Sequence, residues 1–146
     1  MDSDRGKSDV QELVSCLLPF AENMLREHKE FLPFGAHTKL DGTIVWEGAS
    51  DGREQPPSQA LLDILHGAHK RMALAQEIVA CATIYDVRAT PPGRSEKQDA
   101  IAAALDHVRG YSGVVMFPYY FDSQDELCVE SPFAMVGDAA IFPAFA

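Results

Sequence analysis

Positive charge is scarce in this chain. Its 12 lysines and arginines face 22 aspartates and glutamates, for a formal net charge of −10. A surface of that sign repels a phosphate backbone unless its cations cluster. Arg88, Arg94, Lys97 and Arg109 are instead scattered among acids, so nucleic acid is excluded as a partner and a basic protein is not. Cysteine is also rare. Cys16, Cys81 and Cys128 are odd in number, far apart and without a C-x-x-C pair. That pattern speaks against a disulfide framework and predicts reduced thiols in a cytoplasmic protein. No window approaches the ~18 consecutive apolar residues of a membrane span. The start, "MDSDRGKSDV", lacks an apolar core, which predicts no signal peptide.

What the chain does have is an ordinary globular composition. Its 146 residues, 47% hydrophobic and 23% charged, predict one domain over 1–146, with 1–7 as a flexible polar tail. A chain of this length can bury a core without metal or disulfides.

Ser8 and Gln11 fit a capping box. Beyond them Val10, Leu13, Val14, Leu17, Ala21, Met24 and Leu25 recur in steps of three and four, predicting a long helix to about Glu30. Pro19 lies inside it and predicts a kink in one helix rather than a break into two. "FLPFGAHTKLDGTIVWEG", residues 31–48, follows. Asp41-Gly42 between alternating apolar residues predicts a two-residue type I′ hairpin. In that register His37 faces Trp46 and Lys39 faces Ile44. One sheet face then carries Phe34, Ala36, Thr38, Leu40 and Val45, and the other His37, Lys39, Ile44 and Trp46.

Pro56-Pro57-Ser58 opens a second helix with Ser58 as N-cap. Leu61, Leu65, Ala68, Met72, Ala75 and Val79 form its apolar stripe. "CATIYDVRAT" alternates as a strand, and "GVVMFPYYFD" is another, with Pro118 near an edge or bulge. "DAIAAALDHV" between them fits a helix by propensity. It also fits a strand that places Ile101, Ala103 and Leu105 on one side and turns at Arg109-Gly110, and the strand reading is preferred. The tail, broken by Pro132, Gly137 and Pro143, predicts short extended pieces. The fold class is α+β: a mostly antiparallel sheet with two long helices in the order α-β-β-α-β-β-β, residues 96–109 being the segment open to a helical alternative.

The combination "FLPFGAHTKLDGTIV", "PPSQALLDIL", "DAIAAALDH" and "VVMFPYYF" resembles a group of small bacterial proteins of unassigned function, over most of the chain. In that group the "DAI" segment belongs to a strand before a Gly turn, which favours the strand reading. The resemblance implies no activity, cofactor or catalytic residue. By element order alone the chain is similar to roadblock/longin and profilin-like domains, which implies helices against one face of a sheet and a role as a platform or dimer.

Chemistry-bearing residues are few in pattern. His66 and His69, with Asp63 one turn earlier, could converge on a metal, but the zincin spacing and its Glu are missing, and a solvated helix flank is the simpler expectation. His28 reads as a core-edge histidine. Cys128 beside His107 or His37 would make a thiolate–imidazole pair, although an inert buried thiol is commoner. Asp122, Asp125, Glu126 and Glu130 read as a solvated loop. No catalytic residue, metal or cofactor is assigned.

The reading that remains is a non-enzymatic cytoplasmic protein-interaction domain that self-associates, with His37, Ile44 and Trp46 as candidate interface residues. The alternatives are a small-molecule binder or enzyme with a pocket near the hairpin, His37, Trp46 and His107, or an acidic inhibitor of a basic protein. Its partners are then a second copy or another protein, with no nucleic acid and no membrane.

Overall fold

A computed structural model describes residues 2–143; Met1 and residues 144–146 of the apolar tail lie outside the described residues. The elements run α1 (Asp2–His28), β1 (Phe34–Lys39), β2 (Ile44–Glu47), α2 (Ser58–Leu74), β3 (Ile78–Ala89), β4 (Gln98–His107), β5 (Ser112–Phe121), β6 (Leu127–Val129) and β7 (Phe133–Val136). The strands form one antiparallel sheet ordered β2-β1-β3-β4-β5-β6, with β7 also paired to β5. The α+β architecture read from sequence holds, and the tail supplies two short strands to it.

Residues 98–107 are a strand. Alanine favours helix, yet β4 is hydrogen-bonded along its length to β3 and to β5. Ladder pairing with burial on both faces overrides a propensity difference of a few tenths of a kcal/mol per residue. The first helix begins at Asp2 rather than at Ser8, so residues 2–7, expected as a tail, form its first turns. Pro19 sits within one continuous helix. In α2 the cap position is Pro57, and no side chain caps the helix; Ser58 is its first residue. Its other end is a Schellman turn: Gln76 takes φ 59, and the amides of Gln76 and Glu77 donate to the Ala73 and Met72 carbonyls. The chain therefore drops directly into β3, which includes Val79, expected at the end of the helical stripe.

The hairpin departs from its predicted register. Lys39 N–H donates to the Thr43 carbonyl at 2.8 Å and Gly42 N–H to the Lys39 carbonyl at 2.9 Å. Gly42 has φ 90, while Asp41 is not left-handed and its carboxylate accepts the Thr43 N–H at 3.0 Å. The loop is thus three residues long, a type I turn closed by a glycine bulge, where a type I′ turn would need positive φ twice. Its register is Ala36 opposite Trp46, His37 opposite Val45 and Gly35 opposite Glu47. A slip of one residue exchanges the faces of β2: Ile44 and Trp46 join Phe34 and Ala36, and Glu47 joins His37.

The helices, expected on one face, lie on opposite faces. Val10, Leu13, Leu17, Ala21 and Leu25 of α1 pack on Ala36, Ala80, Ala82, Ile84, Ile101, Ala103, Leu105 and Tyr119. The other face carries Gly35, His37, Cys81, Thr83, Tyr85 and the alanines 100, 102 and 104. There α2 lies on β1 and β3, burying Leu61, Leu65, His69 and Ala73.

Asp41→Gly separates the two hairpin geometries. A type I′ turn would tolerate glycine there, whereas the three-residue loop loses the Asp41–Thr43 bond and gains backbone entropy. The expected outcome is a lower urea midpoint for Asp41→Gly than for the wild type.

Candidate functional site

The buried residues of α2 recur every four positions, and His69 stands in that row, fully covered. It lands over Gly35. A Cβ at Gly35 would come within 2.5 Å of the Ala82 carbonyl oxygen, so the missing side chain is what lets β1 lie against β3 there, and the imidazole of His69 rests over that position with its Cε1 in ordinary contact distance.

Opposite Gly35, the corrected register brings Glu47 to the same face. Its Oε1 accepts from His69 Nε2–H at 2.6 Å, and its Oε2 lies 3.3 Å from His37 Nδ1. The three side chains are 14%, 1% and 10% exposed in the order Glu47, His69, His37. Burial alone would raise the Glu47 carboxyl, but the hydrogen bonds and charge of His69 and His37 outweigh it and hold it below the ordinary carboxylate range. One carboxylate thereby joins α2, β1 and β2. Among the described residues His69 Nδ1 and Thr38 Oγ1 are buried without hydrogen-bond partners, and the Glu47 carboxylate, 3.3 Å away, is the polar group His37 Nδ1 meets. Among the described residues no group of three or more His, Cys, Asp or Glu is arranged to hold a metal ion. Through His69 Nε2 and His37 Nδ1 the Glu47 carboxylate links helix to sheet.

Next to it a cleft of about 320 Å³ opens between the flank of α2, β3–β5 and the loop 137–141. His66 and Lys70 enter from the helix, Tyr85, Asp106 and Ser112 from the sheet, and Asp138 from the loop. Ser112 Oγ donates to Asp106 Oδ1 at 2.8 Å and accepts the Ala139 N–H at 3.0 Å. A Cβ at Gly137 would collide with Ser112, so the loop closes tightly on that serine. Burial, chiefly, and the neighbouring Asp138 charge push the Asp106 carboxyl upward. Burial and then His69 push the His66 imidazole downward. Cys81 lies on the same sheet face, and burial drives its thiol so far up that it is inert as a nucleophile.

Of the residues singled out from sequence, His37, His66 and His69 belong to this region; His69, expected on a solvated helix flank, is fully buried because it stands in the row Leu61, Leu65, His69 and Ala73 that faces the sheet. Ile44 and Trp46 are on the α1 face. Trp46 stacks on Phe34 at 6.2 Å between ring centroids and meets Phe20 edge-on at 5.8 Å. His107 is on that face too, its Nε2 bonded to Asp9 at 2.8 Å and its Nδ1 accepting the Arg109 N–H at 3.0 Å. His37, Trp46 and His107 therefore line no common pocket. His28, expected at the core edge, is exposed. Cys128 lies 4.0 Å from an Asp122 carboxylate oxygen rather than beside an imidazole.

Sequence reasoning missed Glu47 and Asp106, and it named His69 as a possible metal ligand on a helix flank rather than as a buried anchor. The spacing Leu61, Leu65, His69, Ala73 was available as a signal, but the polar imidazole breaks an apolar stripe and diverts it to Ala68 and Met72. Glu47 was hidden by the register. Comparison of the chain with protein-family models, curated proteins and solved structures finds no match.

Two variants test the bridge. Gly35→Ala forces a methyl against the Ala82 carbonyl and is expected to cost about 1–3 kcal/mol in thermal or urea unfolding. Glu47→Gln is expected to cost about 1–3 kcal/mol at neutral pH. Because the folded Glu47 carboxyl sits below its ordinary 4.5, its stabilisation is complete above that pH. It is lost as pH falls through the folded value. The gap between the wild type and Glu47→Gln should narrow as pH falls below 4.5, as read from urea midpoints across pH. Asp86 and Asp106 shift the opposite way but contribute equally to both proteins.

Proposed function

We propose that the chain is a non-enzymatic, cytoplasmic protein-interaction domain that self-associates through the half of the sheet face beyond α2, where Ala100, Ala102 and Met116 are buried but Tyr85, Val87, Val114 and Phe133 are only partly so. The observation behind this reading is that β3, β4 and β5 are apolar on both faces. Strands of that pattern belong to sheets covered on both sides. The α1 side is covered. On the other side α2 rests on β1 and β3, and the cluster of Ala100, Ala102, Met116, Tyr85, Val87, Val114 and Phe133 contains no residue of α2.

Met135 extends that surface and is 52% exposed. Its strand β7 runs Phe133–Val136 without a charge, and such an edge lacks the usual guard against pairing. A two-fold axis would place the same surface of two copies face to face, with the alanines of β4 permitting close approach. The unpaired state of Cys16, Cys81 and Cys128 supports a reducing compartment. Among the described residues no helix is long and apolar enough to cross a membrane.

Analytical ultracentrifugation tests the reading. The wild type is expected to sediment as a dimer at micromolar concentration, and Met135→Lys as a folded monomer, since a lysine at an exposed position leaves the fold intact. A wild type that stays monomeric at every concentration contradicts self-association. Dissociation by Trp46→Lys but not by Met135→Lys would move the interface to the half-exposed Trp46 and Phe20 on the opposite face.

A further inference from the structure

The cleft beside α2 shares Tyr85 and Val114 with the proposed contact surface, but its charged groups, Lys70, Asp106 and Asp138, lie outside that apolar cluster. We propose that it binds a small zwitterion of amino-acid size, its ammonium held by Asp106 and Asp138 and its carboxylate by Lys70. The inference does not rest on self-association.

The volume, about 320 Å³, is at the lower end of small-ligand pockets, which suits one compact metabolite and excludes a nucleotide-sized one. Charge is distributed unevenly within it. Asp106 is half-buried, and the one hydrogen-bond partner of its carboxylate among the described residues is the Ser112 hydroxyl. Asp138 is engaged through the Ala140 N–H at 3.1 Å. Neither carboxylate has a lysine or arginine within ion-pair distance among the described residues, and the Asp138 charge helps push the Asp106 carboxyl upward. The nearest candidate cation, His66, is kept neutral at physiological pH by its burial and by His69.

A partly buried carboxylate without a cation is costly, and an incoming ammonium would supply charge and donors together. Lys70 lines the same cleft from the outer side of α2 and makes no ion pair among the described residues, which leaves it available for a carboxylate. Tyr85, Val114, Val136 and Ile141 complete the walls and take the carbon chain. A divalent metal fits poorly, because no suitable group of three ligands is present among the described residues and such ions need six or more oxygens.

The site is built before any ligand arrives. Ser112 fixes the Asp106 carboxylate and, through Ala139 and Gly137, the loop that carries Asp138. Ala139 is held at φ 54, a conformation that an alanine keeps only where its surroundings impose it.

The test is isothermal titration and thermal shift of the full chain with the proteinogenic amino acids and γ-aminobutyrate. Each hit is compared with its des-amino acid and its des-carboxy amine. At least one amino acid should bind. Both truncated analogues, and the variants Asp106→Asn and Lys70→Ala, should bind about tenfold or more weakly. If circular dichroism shows Asp106→Asn to be misfolded, Asp138→Asn, on the exposed loop, takes its place with the same expectation. The proposal is overturned if no amino acid binds, if a des-amino acid or des-carboxy amine binds as well as its parent, or if the folded carboxylate variants bind unchanged.

Discussion

Everything distinctive in this molecule follows from strands that are apolar on both faces while only one helix is available to each face. The long α1 spans β1, β3 and β4 and closes its side. The shorter α2 cannot do the same for the other. Because hydrophobic burial contributes about 25 cal/mol per Å² of apolar surface, where α2 sits decides which part of the second face lies under a helix and which, around the half-buried Tyr85, Val87, Val114 and Phe133, does not.

Its position is decided by polar chemistry. His69 reaches down from α2 to the Glu47 carboxylate, over the gap left by Gly35, and His37 approaches the same carboxylate from β1. A buried pair of this kind adds little net stability compared with an apolar contact, but breaking it is expensive. It therefore fixes the helix over β1 and β3 rather than allowing it to slide towards β4 and β5. The apolar half-face and the charged cleft along the flank of α2 are two consequences of that one placement. The first offers area and the second offers charge, and they suit different kinds of partner.

The sequence carried the class of fold well, because periodicity and punctuation report it directly. The long row from Val10 to Leu25, the alternation in β3 and the glycine turn after Arg109 all stand as read. The details of the candidate site were less legible for physical reasons. Asp41-Gly42 suits two turn types, and the choice between them moves every side chain of β2 to the other face, taking Trp46 away from His37 and bringing Glu47 in. A buried histidine in a row of leucines and alanines looks like an interruption until its partner is known. That partner came from a strand whose register was misassigned. For Ala100–Leu105 helix propensity argued one way and ladder pairing the other, and a group resemblance rather than local physics favoured the strand.

The central claim is that the half-face over β4 and β5 is covered by a second copy of the chain. The most direct measurement is a set of intermolecular nuclear Overhauser effects from a sample mixing methyl-labelled and unlabelled chains. The account predicts contacts between copies from the methyls of Val87, Val114 and Met135. Contacts confined to residues around Trp46, or none at all, would contradict it.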